Sequence, residues 1–359
     1  MLKFFKRTHT LPFKFDIPSY SKFYLEQSNS ITCFIKFFKR YIYILLKKQN
    51  HHEIFLIQKV HKKLLWINLS APSLGDSLMD LSSRIMLEDK SIDLFTDIKN
   101  AHIYSDDRFF NKIYTKISEV DKLAYDLVIL DSYSTKSIKV KAKVSPKTPY
   151  VGMFGYFNGP EVNRVLFSFH QMNNLLNYHK SKNDINILAK NSISISKEDY
   201  EIVNNLIYNN YITIALGGEW QYRTYNKWNK VLDLLLSHEK KLNVVLIGST
   251  NAQKAATEII YKFPQCNIFN FVSKLSFNQT AAIIKRSQIL LCCDGGLMHA
   301  ATAVNAKILP LFSRLSPEMQ LTNAANAFPL FDANDVNNIP VQSIFLKYCE
   351  ALNLYDSHP

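Results

Sequence analysis

Apolar residues recur along this chain at two spacings, and the spacing alternates. Largely apolar segments at 64–69, 91–95, 126–131 and 150–154 read as buried strands. Between the first two, Leu78, Leu81, Ile85 and Met86 fall at helical spacing. A polar Asn/Ser/Lys-rich stretch at 180–205 reads as a linker followed by a helix. The alternation then restarts, with strands predicted at 211–216, 243–248, 267–271, 288–293 and 305–312. Helices are predicted at 228–238, 252–261, 278–286 and 341–352. Strands alternating with helices predict parallel α/β packing. The expected architecture is two Rossmann-like domains facing a central cleft, with ligands at the carboxyl ends of the strands. The expected limits are 61–205 and 206–340, with a C-terminal helix in 341–359 placed to pack back on the first domain.

The first 60 residues differ: they are rich in Lys, Phe and Tyr and lack glycine. Within them Ile31, Phe34, Ile35, Phe38, Ile42, Leu45 and Leu46 share one helical face, and Lys36, Lys39, Arg40 and Lys47 lie off it. Such a basic amphipathic helix either lies on an anionic membrane surface or packs its apolar face on the body of the protein. The basic start, Met1 to Arg7, is not followed by the apolar core of about 7–15 residues that a secretory signal carries. Nor does any uninterrupted apolar run approach the ~20 residues of a spanning helix.

Composition narrows the partners. With 43 Lys and Arg against 30 Asp and Glu, the chain carries a formal charge of +13, which favours anionic ligands. There is no zinc-finger spacing and no RNP-type aromatic motif, so nucleic acid is not the expected partner. The five cysteines form no C-x-x-C pair and read as reduced thiols in a cytoplasm.

The 359 residues include only 9 glycines, against a usual share of about 7%. Several of them stand at strand ends. Gly295 and Gly296 open a helix directly after the 288–293 strand, in Cys293-Asp294-Gly295-Gly296-Leu297-Met298-His299-Ala300-Ala301. A helix start exposes unpaired N–H groups and partial positive charge, so it binds phosphate readily. Asp294 either caps that helix or holds sugar hydroxyls. His299, one turn in, reads as structural when taken alone. Gly217 and Gly218 follow another strand and allow close approach of backbone to a ligand. Arg223 and Lys227 just beyond them compete as phosphate contacts, the alternative being a solvated basic loop. Gly248-Ser249 ends a third strand and either admits a nucleoside or merely turns the chain. Ser313-Arg314 offers a further anion contact. Near the front, Ser73-Leu74-Gly75-Asp76 places Asp76 in the first turn of a helix, as a cap or as a general base.

Together these segments resemble glycosyltransferase family 9, the bacterial heptosyltransferases of lipopolysaccharide inner-core assembly. The resemblance rests on Leu74-Gly75-Asp76, Lys227-Trp228, 245–248 and the 294–301 motif with its trailing 307–312. It implies a GT-B fold with a basic helical N-terminal extension. It further implies inverting, metal-independent transfer from ADP-heptose or a related nucleotide-sugar to an anionic lipopolysaccharide core sugar, without a cofactor. Asp76 would be the catalytic base. Asp294 would contact the donor sugar, Gly295, Gly296 and Leu297 would present amides to the diphosphate, and His299 matches the motif histidine. Gly217, Gly218, Arg223, Lys227, Gly248 and Ser249 complete the donor-binding set. Gly295 stands where the family commonly carries Thr or Ser. A cytoplasmic location follows, peripheral on the inner membrane if the N-terminal helix meets lipid. The competing readings are a non-catalytic scaffold of the same fold, and a GT-B transferase or epimerase using another nucleotide-sugar.

Overall fold

The computed structural model describes residues 1–14, 30–121, 124–158, 161–207 and 210–354. The chain folds as two compact units, Met1–Lys190 with Thr322–Ala324 and Asn191–Leu321 with Ala325–Pro359.

In the first unit, strands β1 (Lys63–Asn68), β2 (Ser91–Thr96), β3 (Phe110–Tyr114), β4 (Leu127–Ser132) and β5 (Tyr150–Gly155) form one parallel sheet, ordered β3-β2-β1-β4-β5. β4 is buried at all six positions and β1 at five of six. Parallel strands covered on both faces need continuous apolar sequence, which is why these two runs were legible. In the second unit, β6 (Ile212–Ala215), β7 (Val244–Ile247), β8 (Ile268–Asn270), β9 (Leu290–Cys293), β10 (Ile308–Ser313) and β11 (Leu330–Asp332) form a second parallel sheet, ordered β11-β10-β9-β6-β7-β8. Each is the doubly wound order, in which successive connections run outward in opposite directions from one central pair. That pair is β1/β4 in the first unit and β6/β9 in the second.

The helices used below are α1 (Ser30–Leu46), α2 (Leu74–Asp80), α3 (Thr135–Val144), α4 (Arg164–Leu175), α5 (Lys197–Leu206), α6 (Trp228–His238), α7 (Gln253–Lys262), α8 (Phe277–Arg286), α9 (Gly296–Ala303) and α10 (Val341–Ala351). Serine side chains start many of them. Ser134 accepts from the Ser137 amide, Ser196 from Asp199, and Ser276 from Gln279 in a capping box.

The observed limits differ from the expected ones in three respects. α5 belongs to the second unit, so the division falls at 190/191 instead of 205/206. α10 also stays with the second unit, where Ile344, Tyr348 and Cys349 join the core that holds β6 and α6. The described part of the N-terminal extension is folded into the first unit. Phe37 and Ile44 of α1 sit in its core with Leu65 and Val128, and Arg7 pairs with Glu53 at 2.6 Å beneath the Tyr133 hydroxyl.

Candidate active site

Consider the second unit first. At a doubly wound sheet's central pair, the loops leaving the two strands diverge and open a crevice at their carboxyl ends. Here those strands are β6 and β9, registered as Thr213↔Leu290 and Ile214↔Leu291. After β6 come Gly217, Gly218 and the single turn holding Arg223; after β9 come Asp294, Gly295 and Gly296. An ion pair joins the two loops: Arg223 Nη1 lies 3.2 Å from Asp294 Oδ2. The Asp294 side chain is only 2% exposed, so this charge is held inside the protein by its partner.

The cap reading of Asp294 is not what forms. The N-cap of α9 is Gly295, with extended backbone and no side-chain cap bond. The amino end of α9 therefore keeps free backbone donors, and Asp294 faces Arg223 instead. A Cβ built on Gly295 or on Gly296 meets nothing within 4 Å. Space stands open over both glycines, directly before a helix start. The Arg223 Nε and the Ser313 Oγ at the end of β10 are also buried without a hydrogen-bond partner. Buried polar atoms are ordinarily satisfied, so such orphans at a strand-end crevice fit a polar ligand.

Aromatic rings extend this cationic edge. The Arg314 guanidinium lies 3.7 Å from the centre of the Tyr222 ring and Arg223 lies 5.6 Å from the same ring. Arg314 holds a left-handed backbone, φ 64°, just past β10. Trp220 stacks on Tyr222 and is exposed.

The remaining predicted donor residues take distinct positions. Gly217 (φ +80°) and Gly248 (φ +152°) hold backbone shapes that L side chains rarely adopt, and a Cβ on Gly248 would lie 2.6 Å from the Leu216 carbonyl oxygen. Ser249 donates to Asn251 Oδ1 at 2.8 Å, and Asn251 Nδ2 donates to the Gly218 carbonyl at 2.7 Å. Asn251 thus ties the turn after β7 to the turn after β6, a role the sequence reading did not assign. Lys227 lies immediately before α6, and its Nζ donates to the Asn337 carbonyl. Between the two competing cations, Arg223 meets Asp294 and Lys227 is committed to backbone. Leu297 lies in the first turn of α9, and His299 is buried one turn in, its amide bonded to the Gly295 carbonyl at 3.2 Å.

In the first unit the corresponding position follows β1. The loop from Leu69 to Ser73 is anchored by the buried Asp131 at the end of β4, whose carboxylate accepts from the amides of Leu69 (2.7 Å), Ser70 (2.5 Å) and Ser132 (2.6 Å) and from Ser137 Oγ. This anchoring sets where α2 begins. Asp76 is the N3 residue of α2 in a full capping box: its Oδ2 accepts from Ser73 N (3.1 Å) and Ser73 Oγ (2.6 Å), and its amide donates back to Ser73 Oγ. The other oxygen, Oδ1, faces Arg164 Nε at 3.7 Å.

Arg164, the first residue of α4, also grips Asp80 with two hydrogen bonds, Nε to Oδ1 at 2.8 Å and Nη2 to Oδ2 at 2.6 Å. Asp76 and Asp80 are i and i+4 on one helix and so share a face, where like charges repel. The forked Arg164 guanidinium resolves that repulsion. Burial pushes the Asp80 carboxyl up to about 6, against the pull of Arg164. The i,i+4 spacing of the two carboxylates was visible in the sequence. Arg164, more than 80 residues away, had no local signal.

Comparison with known proteins bears on both units. Residues 149–330, just over half of the chain, match the family model described as Glycosyltransferase family 9 (heptosyltransferase). No curated protein matches the chain. Among solved structures, the chain is similar to Escherichia coli ADP-heptose lps heptosyltransferase II, with TM-score 0.64 and 19% identity over 82% of this chain and 100% of that one. It is similar to a family 9 glycosyl transferase from Veillonella parvula, with TM-score 0.64 and 14% identity over 82% and 97% of the two chains. It is also similar to E. coli heptosyltransferase WaaC with ADP, with TM-score 0.62 and 14% identity over 80% and 99%. At these identities the structural likeness speaks for the fold, two Rossmann-like α/β units of the GT-B type. With its sheet orders, its strand-end glycine turns and the family match in hand, the chain belongs to glycosyltransferase family 9 and is a glycosyltransferase of the heptosyltransferase kind.

Proposed function

We propose that the protein transfers a heptose from ADP-heptose, or a closely related sugar from its nucleotide, to a sugar of a lipopolysaccharide inner core, with inversion at the anomeric carbon. The observation that carries this reading is the open space over Gly295 and Gly296 beside the Arg223–Asp294 pair. A diphosphate fits that space chemically. The amides of Gly295 to Leu297, the positive end of α9 and the Arg223 guanidinium would meet its charge. Asp294 would turn one carboxylate oxygen to the hydroxyls of the donor sugar. Asp76 would take the proton of the acceptor hydroxyl as that oxygen attacks the anomeric carbon. The leaving diphosphate gains negative charge as its bond to the sugar breaks, and donors fixed in advance for such charge contribute about 10²–10³ each in rate. The net charge of +13 favours an acceptor bearing phosphates and carboxylates.

One observation favours a second reading, a binding protein that does not transfer sugar. Both oxygens of Asp76 already face protein groups, Ser73 on one side and Arg164 on the other. Two assays on the purified protein separate the readings. Thermal shift against ADP-heptose, ADP-glucose, UDP-sugars and GDP-sugars identifies the donor, because a ligand bound only by the native state raises apparent stability. Release of ADP with a core oligosaccharide acceptor tests transfer. Stabilisation by ADP-heptose with acceptor-dependent ADP release is the expected result. Stabilisation by a UDP- or GDP-sugar alone would overturn the donor, and binding without transfer to any core acceptor would favour the binding protein.

A further inference from the structure

The apolar stripe of α1 is not the face by which α1 packs. Helical geometry sets successive residues 100° apart, which puts Ile31, Phe34, Ile35, Phe38, Leu45 and Leu46 on one side and Cys33, Phe37 and Ile44 on another. The second set is buried against the first unit. The first set is exposed, Ile35 at 60% and Leu46 at 73%. A helix that docks on its own protein buries its apolar stripe, and this one turns the stripe outward. Six large apolar side chains exposed on one short helix form the kind of patch that monomeric soluble proteins rarely carry without a partner.

Charge specifies that partner. Lys36, Lys39, Lys47 and Lys48 are exposed on or just beyond α1, and Lys3 and Lys6 are exposed on the segment whose Phe5 ring packs against Phe34. Among the described residues no acidic side chain precedes Glu53, and Glu53 is taken up by Arg7. An apolar stripe edged by exposed lysines matches a surface that is apolar beneath and anionic at its rim. That surface is a bilayer containing anionic lipid. Among the described residues no helix is long and apolar enough to cross a membrane, so α1 would lie in the interface with its axis along the surface. The buried face fixes its orientation. Arg7 is held by Glu53 and packs over the Tyr156 ring at 5.1 Å, so the segment before α1 is fastened to the same body.

We propose that the outward face of α1, with its flanking lysines, docks the protein on anionic lipid. The test uses the full chain without any sugar substrate, so its outcome is independent of the transfer reaction. Vesicles of phosphatidylglycerol mixed with phosphatidylcholine are sedimented with the protein, beside vesicles of phosphatidylcholine alone. The wild type is expected to bind the anionic vesicles at least about tenfold more tightly, and to lose that preference in high salt. Ile35→Glu/Phe38→Glu is expected to weaken binding by about tenfold or more with an unchanged thermal melt, because both side chains face solvent. Lys36→Glu/Lys39→Glu is expected to lose about fivefold for each basic side chain removed. Wild-type protein left in the supernatant, or equal binding by the Ile35/Phe38 variant, would overturn the proposal. So would a lipid-free dimer that the same variant dissociates, since the stripe would then be an interface between two copies.

Discussion

Arg223 Nη1 stands 3.2 Å from Asp294 Oδ2, and this contact joins the loops that leave the two central strands of the second sheet. If Arg223 also meets the diphosphate as it departs, Arg223→Ala removes transition-state stabilisation of about 10²–10³ in kcat. Arg223→Lys keeps the charge but loses the fork, and is expected to recover only part of the rate. Steady-state kinetics with saturating acceptor measure both. A variant that loses stability but keeps its kcat would make the ion pair purely structural.

The two roles of Asp76 are separable. Ser73→Ala removes the capping partner and is expected to cost about 1 kcal/mol of stability with transfer retained. Asp76→Asn keeps a side chain of the same shape but offers no base, and is expected to lower kcat by about 10²–10⁴. Denaturant melts run beside rate measurements give both numbers. Full activity in Asp76→Asn would remove the carboxylate from the mechanism.

Arg164→Ala leaves Asp80 buried beside Asp76 with its charge unpaired, at an expected cost of about 3–5 kcal/mol. A volume-matched apolar pair, Asp80→Leu with Arg164→Met, is expected to restore most of that stability while reducing transfer, because Asp76 loses the cation facing its Oδ1.

The same carboxyl predicts a pH dependence. Burial holds Asp80 at about 6, above the 3.8 of an ordinary Asp, so the folded chain binds its proton more tightly than the unfolded chain. The resulting stabilisation is complete below the unfolded value and is lost as pH rises from about 4 through about 6. Relative to Asp80→Asn, the wild type is therefore expected to gain stability on going from pH 7 to pH 5. Differential scanning calorimetry across that range checks the sign.

Glycines at strand ends fall into two kinds. Gly248→Ala sets a Cβ 2.6 Å from the Leu216 carbonyl oxygen at φ +152°, and is expected to destabilise by about 1–3 kcal/mol. Gly295→Ala meets nothing within 4 Å and has extended backbone, so its melt should stay within about 0.5 kcal/mol of the wild type. Its KM for the nucleotide-sugar should nonetheless rise, because the methyl group enters the space proposed for the diphosphate.

The sequence by itself determined the α/β class and most of the strands. Burial on both faces forces continuous apolar runs such as 64–67 and 127–130, and these are readable without any partner. It also determined the position of Asp294 to Gly296 at a glycine turn between strand and helix, and of Asp76 in the first turn of a helix capped by Ser73, because both are local events. Where local pattern and packing disagree, the sequence was silent. Ile138, Val140, Ala142 and Val144 alternate with lysines as a strand would, yet α3 forms there because Ser134 caps it and Lys141 is buried against Gln49. Tertiary structure alone decided the rest: that Arg164 links Asp76 to Asp80, that Arg223 meets Asp294 while Lys227 does not, and which side of α1 faces out. Each depends on residues far apart in the chain meeting through the sheet order, and no periodicity along the chain encodes such a meeting.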